Sequence, residues 1–257
     1  MADKTIVEDI NRVRWIRFDR PEKRNALRIE DVEMIRTAIR EAPAGTACIV
    51  FTGENGHFAA GADVTSFSAA SMGKLEIADE SVGQKMMREV RTAQVPTIAA
   101  IEGYCVGLAM VISAMCDIRV VSRTAKFSMP ELKIGIPVIG DSGIFAQYIG
   151  MARARELLLT GAFYSAEQLD SWGYINRLVD EGTAQQAVEE FTNIFRDLPV
   201  RTLQAQKRIF EAWYQMPPRD AHRLSILEYA ATVAHPEVGE WIDQFKATRA
   251  AAKEAKK

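Results

Sequence analysis

Two stretches constrain this chain most: FTGENGHFAAGADV at 51–64 and TIAAIEGYCVGLAMVISAMCDIRVVS at 97–122. In each, an apolar β-branched run breaks at glycines and resumes as something able to start a helix, so each corner can present an unpaired backbone N–H. Two such donors aimed at one point make an oxyanion hole, which needs backbone geometry rather than particular side chains and can be the largest single catalytic contribution. The first candidate donor is the N–H of Ala62, where Gly61 permits close approach of the backbone and Ala59 and Ala60 keep the corner uncrowded. The second is the N–H of Leu108, which follows Gly107 at an expected helix start, where the helix dipole favours negative charge. Taken singly, each reads equally well as a plain loop of small residues or a glycine-capped buried helix.

The rest of the chain has a strand–helix rhythm. Val13, Trp15, Ile16 and Phe18 suggest an early strand, PEKRN a polar turn, and Ile29, Val32, Ile35 and Ile39 a helix. ACIVFTG at 47–53 reads as a buried strand, and 72–93 as a long helix ended by the approach to Pro96. TIAAI, a turn, a helix over 107–116 and IRVVS then favour a largely parallel α/β sheet. Beyond Pro137 helices are expected over 144–149 and 153–159, with another capped at Ser165, and INRLVD at 175–180 is a last short strand. From Thr183 to Arg249 the period is helical, broken at Pro199, Pro217, Pro218 and Pro236. The expected division is a core over 1–200 and a helical C-terminal segment over 201–257.

With 257 residues, 48% hydrophobic and 26% charged, the chain can bury a substantial core. A net charge of −2 with scattered basic residues lacks the footprint of a nucleic-acid binder, so no nucleic-acid partner is expected. The first 20 residues mix acids and bases where a secretory signal needs an apolar run, and VGLAMVISAM is closed by Cys116 and Asp117 before it reaches a membrane span. The expectation is a cytoplasmic protein without a membrane partner. Cys48, Cys105 and Cys116 lack paired spacing, arguing against both a disulfide framework and a metal site.

AKFSMPELKIGIP at 125–137 supplies a candidate acid/base: Pro130 fixes the backbone before Glu131, and Leu132, Ile134 and Ile136 come after it. A carboxylate among apolar groups has its charged form disfavoured, which moves it toward general acid/base work; an exposed glutamate beside Lys133 is the plainer reading. Serine hydrolase chemistry lacks histidine and aspartate partners for any serine, and GYCVGLA is not a dinucleotide fingerprint. His57, near the first corner, reads as part of a surface turn.

In combination, FDRPEKRNAL, HFAAGADV, PTIAAIEGYCVGLAMVISAMCDIRV, FSMPELKIGIP, IGMARARELLLTG, SAEQLDSWGYINRLV and EWIDQFKATR, in order over roughly residues 5–250, resemble the crotonase, or enoyl-CoA hydratase/isomerase, superfamily. The resemblance implies a crotonase-type spiral of ββα units with a helical C-terminal segment. It also implies an acyl-CoA enzyme in which the Ala62 and Leu108 amides hold the thioester oxygen as an enolate forms and Glu131 moves protons, with no metal or separate cofactor. The nominal reaction is hydration of a 2-enoyl-CoA to a 3-hydroxyacyl-CoA. Family hydratases carry two glutamates; Glu131 matches the second, and Val111 stands at the first. That departure favours one-base chemistry (double-bond isomerisation, decarboxylation or carbon–carbon bond chemistry), with a non-catalytic acyl-CoA-binding protein as a further alternative. Asp141 is a possible helper or a helix N-cap. CoA contacts match Lys23, Arg24, Ala26 and Leu27, then Ala60, Asp63 and Val64; Phe245 and Arg249 match the C-terminal pattern, often lent by a neighbouring subunit. Family members form trimers or dimers of trimers, so a homotrimer or hexamer is implied.

Overall fold

The computed structural model describes residues 4–66 and 81–254. A hairpin, β1 (Lys4–Ile10) and β2 (Val13–Asp19), opens the fold and is followed by α1 (Ile29–Arg40), β3 (Cys48–Gly53) and α2 (Val82–Arg91). Next come β4 (Thr97–Ile101), β5 (Tyr104–Val106), α3 (Leu108–Met115), β6 (Ile118–Ser122) and β7 (Lys126–Ser128). The remainder is α4 (Ile144–Thr160), β8 (Tyr164–Ser165), α5 (Ala166–Ser171), β9 (Arg177–Val179), α6 (Ala184–Arg196), α7 (Val200–Gln215), α8 (Pro218–Val233) and α9 (Pro236–Glu254).

One sheet runs β1-β2-β3-β4-β6-β9 and is parallel from β2 onward, while β5-β7-β8 form a second, smaller sheet. β3 and β4 are buried along their whole length because both faces of the large sheet are covered. Ile16, Phe18, Ile49, Phe51, Ala99 and Ile101 face a core shared with α1, α2 and α3; Val13, Trp15, Val50, Ile98 and Ala100 face Ala184 and Val188 of α6. All of α3 after Leu108 is buried, as its apolar composition on every face requires. Its N-terminus is therefore anchored in the core, not on a mobile surface.

The small sheet is where the expected pattern falls short. A turn leading straight from TIAAI into a helix leaves out β5, three residues between Gly103 (φ +52°) and Gly107 (φ +54°) whose partner is Lys126–Ser128. A strand that short has no readable period, and its pairing is non-local. Beyond Pro137 the two expected helices are the two limbs of α4, separated where Gly150 (φ +73°, ψ +157°) leaves the helical conformation. Of the helix expected over 72–93, α2 is the described part; residues 72–80 lie outside the described residues. The caps at Ser81 and Ser165 each accept the N–H of a glutamine three residues on, and the C-terminal helices break at the expected prolines. Among the described residues no helix is long and apolar enough to cross a membrane.

Candidate active site

The first corner is held by a buried asparagine. After the turn Pro21–Lys23, Arg24 and Asn25 adopt left-handed backbone conformations (φ 49° and 60°). Asn25 Nδ2 donates to the carbonyls of Glu54 (2.9 Å) and His57 (2.7 Å), and its Oδ1 accepts the N–H of Arg20 (2.9 Å). Leu27 then pairs with the extended segment beyond Gly61: its N–H donates to Gly61 O (2.7 Å) and its carbonyl accepts from Asp63 N (2.8 Å). Successive peptide groups of an extended chain face opposite ways, so the N–H of Ala62 is turned away from Leu27.

The second corner is stitched to the first by main chain. Ala59 N–H donates to Tyr104 O (3.0 Å), Val106 N–H to Ala59 O (3.1 Å) and Phe58 N–H to Glu102 O (2.8 Å). At Gly107 (φ 54°, ψ −124°), a conformation that excludes other residues, the chain enters α3. The first backbone bond within α3 runs from Val111 N–H to Gly107 O (3.1 Å), so the N–H of Leu108 is among those the helix leaves unpaired. A Cβ on Gly61 would stand 2.6 Å from Val106 O and 3.5 Å from Leu108 N, so the two corners touch through a glycine that nothing larger can replace.

Glu131 reaches the same place from the small sheet. Gly107 N–H donates to Ser128 O (2.8 Å), tying the start of α3 to the end of β7, and Pro130 leads into the 3-10 turn Glu131–Ile134. A Cβ on Gly107 would lie 2.8 Å from Glu131 Oε1, so the carboxylate rests against the glycine backbone preceding Leu108. Its Oε2 is buried without a hydrogen-bond partner among the described residues. Burial pushes the Glu131 carboxyl above the usual carboxylate value, opposed by the hydrogen bond from its own backbone N–H.

These groups share a cavity of about 910 Å³. Ala60, Ala62, Val64, Leu108, Val111 and Glu131 all line it; Val111, one turn into α3, puts a buried isopropyl group there. None of the other sequence candidates whose side chains are described lines it. Leu27 is buried behind the Ala62 segment, and Ala26 is half-buried beside it. Asp63 points away from the cavity: hydrogen bonds from Thr65 and from Arg20 (2.6 Å) hold its carboxyl down to about 2. Lys23 and Arg24 are exposed, with the Arg24 guanidinium over the Tyr104 ring at 4.9 Å. Phe245 and Arg249 stack on each other on the exposed surface of α9, outside the cavity lining. Asp141 belongs to the 3-10 turn Gly140–Gly143, but its side chain lies outside those described.

His57 packs its ring on Tyr104, and burial together with Arg24 lowers its pKa. Cys105 is buried in the core, where burial pushes its thiol up and away from nucleophile chemistry. Sequence reasoning passed over Asn25, Met87 and Ser142. The asparagine sits in plain view in PEKRN, where a left-handed turn residue with its own polar arm is a recognisable signal; Met87 and Ser142 line the cavity only through tertiary packing. Among the described residues no group of His, Cys, Asp or Glu is placed to hold a metal ion.

Comparison with known proteins agrees with this architecture. Residues 8–254 match the family profile described as enoyl-CoA hydratase/isomerase. A probable enoyl-CoA hydratase of Mycobacterium bovis is 34% identical over 177 residues, 68% of each chain, and a mevalonyl-coenzyme A hydratase of Aspergillus fumigatus is 30% identical over 234 residues, 89% of this chain and 86% of that one. A putative enoyl-CoA hydratase from Streptomyces coelicolor superposes with a TM-score of 0.87 at 24% identity over 95% of this chain and 91% of that one, a likeness of fold. A probable enoyl-CoA hydratase/isomerase from Mycobacterium abscessus gives 0.82 at 28% identity over 96% and 97%. With the two glycine corners and the Glu131 turn occurring in one cavity, the profile match over nearly the whole chain means that this protein belongs to the enoyl-CoA hydratase/isomerase family.

Proposed function

We propose that the protein is an acyl-CoA enzyme in which the amides of Ala62 and Leu108 hold the thioester oxygen and Glu131 is the single acid/base. A thioester α-proton is too weakly acidic for a carboxylate unless the enolate oxygen is met by fixed donors in a water-poor site. Two unpaired amides from touching corners, with a desolvated carboxylate packed against the glycine between them, support that role. The reaction this favours is migration of an enoyl-CoA double bond. Glu131 takes a proton from carbon 2 of a 3-enoyl thioester, the negative charge spreads to the carbonyl oxygen and carbon 4, and the proton returns at carbon 4.

The observation that carries this choice is Val111: where a hydratase has a second carboxylate to hold and activate water, this cavity has an isopropyl group. Hydration of a 2-enoyl-CoA is the second reading, favoured by the hydratase names of the relatives. Incubation with crotonyl-CoA and with a 3-enoyl-CoA in deuterated water, followed by mass spectrometry, separates them. Double-bond migration with deuterium uptake is expected. Gain of a water on crotonyl-CoA at a comparable rate would establish the hydratase instead, full activity in Glu131→Gln would remove Glu131 from the acid/base role, and binding of thioesters with no turnover by the parent would leave only a binding role. The working unit of this reading is a homotrimer or a dimer of trimers, supported by the apolar side chains left exposed on α7, α8 and α9.

A further inference from the structure

Whichever way the proton moves, the cavity wall bears on which acyl group is accepted, a question that rests on the acyl-CoA role of the site. Among the described residues that line the cavity, Glu131 is the only ionisable side chain. The one other polar side chain, Ser142, is buried and donates its hydroxyl to Ile139 O (3.1 Å), so that donor is already used. The floor is Met87, Val111 and Met129, all buried. At the mouth the apolar surface continues: Val64 on the Ala62 side is 58% exposed, and Ile134 and Ile139 on the Glu131 side are 56% and 48% exposed. Large aliphatic groups left exposed on both walls of a cleft gain by being covered with apolar matter.

Size points the same way. At ~30 Å³ per heavy atom, the share of one water in the liquid, a four-carbon acyl group fills roughly 120 Å³, a small part of a cavity of about 910 Å³. Even with roughly half the space given to the pantetheine arm, a short chain leaves apolar walls facing water. A hydroxyl or carboxylate on the acyl group, buried against Met87, Val111 and Met129, would find no hydrogen-bond partner among those described side chains, a cost that discriminates against it.

We propose that this site selects large, wholly apolar acyl groups, an alkyl chain of about eight carbons or more or an aromatic group, over short or polar-substituted ones. The test uses saturated thioesters, which bind without turning over: butanoyl-, octanoyl- and dodecanoyl-CoA, and an octanoyl-CoA carrying a terminal carboxylate, measured by calorimetry on the full chain. Affinity is expected to rise about two- to fourfold per methylene between butanoyl- and octanoyl-CoA, and the terminal carboxylate to cancel most of that gain. Ile134→Ser with Ile139→Ser removes only exposed groups, so folding is retained. It should weaken dodecanoyl-CoA several-fold and leave butanoyl-CoA unchanged. Equal affinity along the series, an optimum at butanoyl-CoA, or tighter binding of the carboxylate-ended chain overturns the proposal. If the series is flat while Glu131→Gln still abolishes turnover, chain selection fails and the acyl-CoA reading stands; if no thioester binds, both fall.

Discussion

On the proposed function, Glu131 carries opposite consequences for activity and for stability. Burial raises its folded-state pKa above the unfolded value, so the folded protein binds the proton more tightly. The cost to folding is absent below the ordinary glutamate range, develops as pH rises from there through the folded-state value, and is complete above it. Glu131→Gln should therefore melt higher than the parent at neutral pH and lose that advantage in acid, while kcat falls by at least ~100-fold, as expected for loss of an acid/base. In the parent, the rising limb of kcat/KM against pH should lie above the ordinary glutamate range. Scanning calorimetry and a pH–rate profile read the two effects separately; a variant that melts lower at neutral pH would contradict the burial argument. Gly61 gives the complementary case. At φ +94° with Val106 O only 2.6 Å from any added Cβ, Gly61→Ala has to part the two corners. Its effect should be a fall in kcat of at least tenfold, accompanied by about 1–3 kcal/mol of lost stability, checked by steady-state kinetics alongside urea unfolding.

At the level of elements, the corners hold their shape because polar side chains outside the cavity clamp them. Arg20 and Asn25, on the turn after β2, fasten Asp63 and the 54–58 loop respectively, so the segment bearing Ala62 is gripped at both ends. Asp63 is held down to about 2 by Thr65 and Arg20, so the stability it contributes is fully present above the ordinary aspartate range and drains away as pH falls toward that value. Asp63→Asn should cost about 1–3 kcal/mol at neutral pH, with the gap to the parent narrowing on acidification; a gap that stays constant with pH would mean that the ion pair is not its source. These clamps were partly legible. PEKRN reads as a turn and GADV as a corner, yet nothing in either motif says that Asn25 spans to His57 or that Arg20 meets Asp63, because such contacts depend on where β2 and β3 lie in the sheet. β5 was illegible for the same reason: three residues carry no period, and only pairing with β7 makes them a strand.

For the molecule as a whole, the C-terminal helices are the unfinished surface. Phe210, Trp213, Leu227, Tyr229 and Phe245 are all more than two-fifths exposed, and α7 is seated on the core through the buried Lys207, which meets Asp117 at 2.7 Å. Aromatic and aliphatic groups spread over three helices need another surface to cover them. Sedimentation analysis should give three or six times the 28.6 kDa chain mass, and Trp213→Asp with Tyr229→Asp should lower it; a parent that sediments as one chain would remove the basis for assembly. Phe245 and Arg249 are not among the described residues that line the cavity within one chain, so a role for them at the site would require such an assembly. The sequence alone determined what depends on local pattern: a buried strand at 47–53, a strand at 97–101, the glycine corners, a helix over 107–116, a glutamate after Pro130, and valine at 111. Each arises from residue type and near-neighbour spacing, which backbone sterics and burial translate directly into shape. Only the tertiary structure decided that Ala62 and Leu108 stand together, that Glu131 loses its solvent against Gly107, and that one apolar cavity joins them. Those facts rest on contacts between segments 46 and 23 residues apart in the chain, and distance in space is set by how the sheets stack, which no local spacing encodes.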